Sequence, residues 1–190
     1  MNYELYFFLI GCKPQGRNTE QHDVFITVAE NPAETELQLL NFWPEANGKL
    51  HIDSWRKITS INGYKIDVVL KEEKKPGQNS LSLFFLNLGG YKADDLEEYH
   101  YKEFVVAKDK SEAIALTKQS AFYKHTGFKG AESHIDDKFG IDVDDIFSIE
   151  ELLPQEIKSK FSITFSPTDQ IEKDEIHIGY LTLEKLRKLT

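Results

Sequence analysis

The chain carries one sequence pattern twice. Leu5-Tyr6-Phe7-Phe8-Leu9-Ile10-Gly11-Cys12 returns as Leu83-Phe84-Phe85-Leu86-Asn87-Leu88-Gly89-Gly90, an offset of 78 (89 minus 11). The frame holds through Glu20-Gln21-His22 on Glu98-Tyr99-His100 and Val28-Ala29 on Val106-Ala107. His51-Ile52-Asp53 then matches His134-Ile135-Asp136 at an offset of 83, which places about five extra residues in the second copy. A doubled pattern constrains the fold strongly, because each copy must build the same elements. A copy of roughly 70 residues buries only a modest share of its surface alone. Two packed copies bury more, so the sequence predicts one compact body.

Each copy reads as strand, loop, strand, helix and one or two further strands. The apolar runs Leu5 to Ile10 and Leu83 to Leu88 suit central strands covered on both faces, ending at Gly11 and at Gly89-Gly90. Val24, Ile26 and Val28 alternate with Phe25, Thr27 and Ala29 as a second strand; Phe104 and Val106 repeat that phase. Helix starts follow at Asn31-Pro32-Ala33-Glu34 and Asp109-Lys110-Ser111-Glu112, each with a capping residue and a Glu that closes a capping box. Leu37, Leu40 and Trp43, and in the second copy Ile114, Thr117 and Ala121, are expected to face the sheet. Asn62-Gly63 between Ile61 and Tyr64 predicts a two-residue hairpin turn. Asp144-Asp145 stands at the matching place, with Phe147 and Ile149 matched to Tyr64 and Ile66. Beyond Pro154, Phe161, Ile163 and Phe165 read as a strand, Ile176, Ile178 and Tyr180 as its partner, and Leu183, Leu186 and Leu189 as a terminal helix.

The expectation is therefore an α+β protein of two pseudo-symmetric ββαβ(β) repeats packed into one compact body, plus a C-terminal extension. The expected boundaries are 1–70 for the first repeat, 71–80 for a linker, 81–154 for the second repeat and 155–190 for the extension.

Charge narrows the partners. The net charge of -9 disfavours phosphate backbones and anionic membrane surfaces, so neither nucleic acid nor membrane is an expected partner. A small molecule, another protein or a second copy of the chain remain open. Leu9-Ile10-Gly11-Cys12 has the look of a lipoprotein cleavage box, but no basic region precedes it and Glu4 interrupts it. The same run recurs mid-chain, so both are read as buried strands. No run approaches membrane-helix length, and the single cysteine fits a reducing compartment; the cytoplasm is the default location.

Four short segments could carry chemistry. In Glu20-x-His22 and Glu98-x-His100 the two side chains share one face of an extended chain, so each Glu can orient its His. His51-x-Asp53 and His134-x-Asp136 have the same spacing. Where such segments meet, two imidazoles with a carboxylate suit zinc or ferrous iron, through His22, His51, His100 or His134. The same groups, Glu20, His22, His51, Asp53, Glu98, His100, His134 and Asp136, could instead form a metal-free acid–base set. The structural alternative is ordinary: a His at a strand end pins a loop, and an Asp caps a turn. Weaker candidates are an anion at the Gly11–Thr19 loop with Arg17, calcium along Asp136–Asp145, and a thiol at Cys12.

In its Gly11, Glu20-x-His22-Asp23 and His51-Ile52-Asp53 segments, and their second-copy partners, the chain resembles a small bacterial family, the domain of unknown function numbered fifteen forty-three. The resemblance covers residues 5–68 and 83–152 as two tandem copies. It departs at Cys12, where a second Gly is expected, and at Tyr101, where the first copy has Asp23. It implies no activity, cofactor or catalytic residue. Two functional readings are left by the sequence: a non-catalytic binding or interaction module, and a metal-assisted or acid–base enzyme. Exposed strand edges add self-assembly as a third.

Overall fold

The first apolar run forms β1 (Glu4–Cys12), buried at nearly every position because it has a strand on each edge. β2 (Gln21–Ala29) and β3 (His51–Lys57) flank it, both antiparallel. The computed structural model describes residues 2–74, 80–91, 96–119, 143–169 and 173–189. The chain divides into two units, Met1–Gln78 with Leu152–Thr190, and Asn79–Glu151.

In the first unit a fourth strand, β10 (His177–Thr182), pairs with β3 to give the order β10-β3-β1-β2. A second sheet holds β4 (Ser60–Ile61), β5 (Tyr64–Leu70) and β9 (Phe161–Pro167). The turn between β4 and β5 is the expected hairpin, with Asn62 at φ 37° and Gly63 at φ 84°. The expected pairing of the two tail strands is not made: β9 pairs with β5 and β10 with β3. Residues 152–190 thus complete both sheets of the first unit.

Both faces of β1 and of residues 25–29 of β2 are covered, and two expectations change. β1 runs through Gly11 to Cys12 instead of stopping at Gly11, and β2 is buried at five consecutive residues, Phe25 to Ala29, instead of on alternate ones. One face of β1, with Tyr6, Phe8, Ile10 and Cys12, packs with Phe25, Leu39, Ile52 and the terminal-helix residues Leu183 and Leu186. Phe8 stacks on Trp55 and contacts Phe25.

The capped helix forms as expected. Asn31 Oδ1 accepts from the Glu34 amide, and Glu34 Oε2 accepts from the Glu30 amide. A 3₁₀ turn over Pro32–Thr35 leads into α1 (Glu36–Phe42). That tighter turn shifts the phase of the face: Leu39 is fully buried, whereas Leu37, expected inside, is 67% exposed. Arg187, at the C-terminal end of the last helix (Leu183–Leu186), donates from Nε and Nη2 to Glu36, both at 2.6 Å. That bidentate bond holds the Glu36 carboxyl below the usual range.

The second unit orders its sheet β7-β6-β8, with β6 (Ser82–Tyr91), β7 (Glu98–Ala107) and β8 (Val143–Ser148). β6 and β7 pair in the register of β1 and β2: Gly11 opposes His22, and Gly89 opposes His100, so the offset is 78 on both strands. Helix α2 (Lys110–Gln119) has the matching cap, with Asp109 Oδ1 accepting from the Glu112 amide and Glu112 Oε2 from the Lys108 amide.

The matching at β8 is corrected by the structure. Asp144 and Asp145 lie within a strand, so no hairpin turns there. Phe147 pairs with Phe85 as Arg56 pairs with Phe7, which makes β8 the counterpart of β3 at an offset of 91 (147 minus 56), not of β5. Ile149 begins a short helix (Ile149–Leu152). His134, Asp136 and Ala121 fall outside the described residues.

Candidate functional site

Antiparallel pairing puts His22, Gly11 and His51 in one row across three strands, since Gly11 opposes His22 on β2 and His51 on β3. Residues in such a row project from the same face, and their neighbours stand about 5 Å apart. The middle position has no side chain, which leaves space for the two imidazoles. A Cβ on Gly11 would lie 2.6 Å from His51 Nε2 and 3.0 Å from Asp53 Oδ2.

Asp53 reaches the row through a β-bulge. β1 pairs Leu9 with Ser54 and Ile10 with Ile52, so Asp53 has no partner in the ladder. An extra residue of this kind bends the strand and re-aims its side chain. Glu20 enters from just before β2. The result is a closed ring of four groups. His51 Nε2 lies 3.2 Å from Glu20 Oε1 and 3.3 Å from Asp53 Oδ1. His22 Nε2 lies 3.6 Å from Glu20 Oε2 and 3.4 Å from Asp53 Oδ2. Each carboxylate bridges both imidazoles, one oxygen to each. All four residues are ones the sequence singles out.

The ring is anchored on one side and open on the other. His51 is only 6% exposed, whereas His22 is 48% exposed. The His51 ring stacks on Tyr180 of β10 at 4.4 Å between centroids. Asp53 Oδ2 is buried and accepts no hydrogen bond in the structure. Leaving a carboxylate oxygen in that condition costs about 1–3 kcal/mol or more, unless a cation or donor meets it.

Tyr180 is a site residue that sequence reasoning missed, since the tail lies outside the repeat. The second unit holds a related set. His100 Nε2 is 3.1 Å from Asp144 Oδ2 and 3.9 Å from Glu98 Oε2. Ligand atoms of Glu98, His100 and Asp144 all lie within 4.8 Å of one another. A Cβ on Gly89 would meet Asp144 Oδ2 at 2.7 Å. Asp144 sits in the same bulge as Asp53, because Asn87 pairs with Asp145 and Leu88 with Val143. Asp144 therefore stands in the second unit where Asp53 stands in the first. The signal was present as Asp142-Val143-Asp144, an x-apolar-Asp string in step with His51-Ile52-Asp53. The residue in step with His51 is Asp142, outside the described residues.

Local geometry bears on two other candidates. Asp144 and Asp145 belong to a strand rather than to a calcium loop, and residues 136–142 are outside the described set. Cys12 is 1% exposed, and burial, with Glu20 and Glu45 nearby, pushes its thiol above the ordinary value. A protonated, buried thiol is a poor nucleophile. We expect Cys12 to react with an aromatic disulfide reagent at least about a hundredfold more slowly in the folded protein than in urea; equal rates would refute this.

An open cleft of about 720 Å³ adjoins the ring at His22, with Arg17, Asp23, Phe42, Trp43 and Glu45 among its walls. Arg17 follows a turn closed by its own amide to Pro14 O, so the expected loop contributes a guanidinium to this cleft.

Comparison with known proteins gives one partial family match and a similar fold. The family model for Domain of Unknown Function (DUF1543) matches once, at residues 17–68, a segment that holds Glu20, His22, His51 and Asp53. No curated protein matches the chain. Among solved structures, the crystal structure of a protein Il1583 from Idiomarina loihiensis is similar, with a TM-score of 0.63 at 19% identity, over 96% of this chain and 98% of that one. This likeness concerns the fold. No described helix is long and apolar enough to cross a membrane.

Proposed function

We propose that the first unit is a binding module for a divalent transition metal, zinc or ferrous iron, held by His22 and His51 with Glu20 and Asp53. The observation that carries this reading is the ring itself: both Nε2 atoms lie 3.2–3.6 Å from the same two carboxylates. Imidazole nitrogens and carboxylate oxygens are the ligand types that zinc and ferrous iron take, and one oxygen of each carboxylate would turn to the metal on binding. Asp53 Oδ2 is buried, with His22 Nε2 3.4 Å away and no hydrogen bond made, and a cation between the two groups would satisfy it. Stacking of Tyr180 on His51 fixes the ring plane, as an outer partner of a metal-bound His does.

In this reading the second unit is a diverged copy, and Glu98, His100 and Asp144 form a weaker, more open site with one imidazole. A reducing, cytoplasmic setting accords with the single buried cysteine.

Zinc titration of the metal-stripped protein tests the reading. One site of micromolar affinity or better is expected. His22→Ala, at a half-exposed position that the core does not need, should weaken it at least about a hundredfold, or about 2.7 kcal/mol. Glu98→Gln should leave it unchanged. Absence of saturable zinc or ferrous-iron binding below millimolar concentration would sink the proposal.

A further inference from the structure

The cleft beside His22 has walls of mixed character. Trp43 and Phe42 give it two aromatic rings, Phe42 being 42% exposed. Arg17 gives it a cation, and Asp23 and Glu45 give it carboxylates. A plain anion would meet more negative than positive charge on these walls, and a plain cation would meet Arg17. A ligand with both charges meets each one with its opposite, while an apolar body lies against the rings.

We infer that this cleft binds a zwitterion of dipeptide size with an aromatic or large apolar side chain. Its carboxylate is received by Arg17, its ammonium group by Glu45, and its side chain by Phe42 and Trp43. The volume of about 720 Å³ lies within the range of roughly 300–1,000 Å³ typical of small-ligand sites and exceeds what one amino acid fills. Because His22 belongs to both the cleft and the ring, this inference rests on the metal reading for its chemical purpose: the ligand's backbone carbonyl lies beside the metal-binding side chains.

The test is calorimetric titration of the zinc-loaded full chain with L-phenylalanyl-glycine and with its doubly blocked form, N-acetyl-phenylalanyl-glycine amide. The free dipeptide should bind at least about tenfold more tightly. Arg17→Gln, an exposed position, should reduce that preference about tenfold; Phe42→Ala should weaken both ligands alike. Equal affinity for the two probes, or no binding of either, overturns the inference. The metal reading is scored separately by the zinc isotherm of the same samples. Zinc binding without a preference for the free dipeptide sinks only the cleft inference. A dipeptide preference without zinc binding sinks only the metal reading.

Discussion

Gly11→Ala is expected to destabilise the first unit by about 1–3 kcal/mol, the cost of forcing a group into a packed site, and to weaken zinc binding by at least tenfold. The new Cβ would stand 2.6 Å from His51 Nε2, closer than such atoms approach. The ring cannot swing away easily, because it is 6% exposed and lies against Tyr180. The matched change, Gly89→Ala, gives a similar approach, 2.7 Å to Asp144 Oδ2. That neighbour is the end of a carboxylate with 26% exposure, which can turn toward solvent at the expense of its 3.1 Å pairing with His100. Its cost should therefore fall below about 1 kcal/mol. Urea denaturation and zinc titration of the two variants measure the contrast. Equal, small effects at both glycines would show that Gly11 does not hold the imidazoles in place.

Deletion of residues 152–190 is expected to unfold the first unit. The segment supplies β9 and β10 and the buried side chains Phe161, Ile163, Leu183 and Leu186. Burial of each is worth about 1.5–3 kcal/mol, so together they contribute on the order of 6–12 kcal/mol, comparable to the whole stability of a typical domain, about 5–15 kcal/mol. The deletion also bares the edges of β3 and β5, which invite pairing between chains. Circular dichroism and the zinc isotherm of the shortened chain provide the check. A folded, zinc-binding product would show that residues 152–190 are a dispensable addition.

Much of the local structure was legible. The repeated apolar run, the two capping boxes and the Asn62-Gly63 turn are short-range signals, each set by neighbouring residues, and each forms where the sequence placed it. The four residues of the first ring were legible as candidates for a related reason. Glu20-x-His22 and His51-x-Asp53 each put two side chains on one side of a strand, and the row across Gly11 joins them.

What could not be read was long-range or irregular. The bulge at Asp144 depends on pairing with β6, which no pattern within β8 itself announces. The exposed Leu37 depends on a 3₁₀ turn that differs from an α-helix by a small change in pitch. The destinations of β9 and β10 depend on which strand edges are free once the rest of the first unit has formed.

The amino-acid order alone determined the strands, the caps, the glycine shared by both units and the set of groups available for binding. These follow from periodicity and from steric limits within a few residues. The tertiary structure alone decided that His22 and His51 meet two carboxylates around Gly11, that Asp144 lies beside His100 in the second unit, and that a distant tyrosine covers His51. Strand pairing and register bring together residues far apart in the chain, and no local rule specifies which edges will meet.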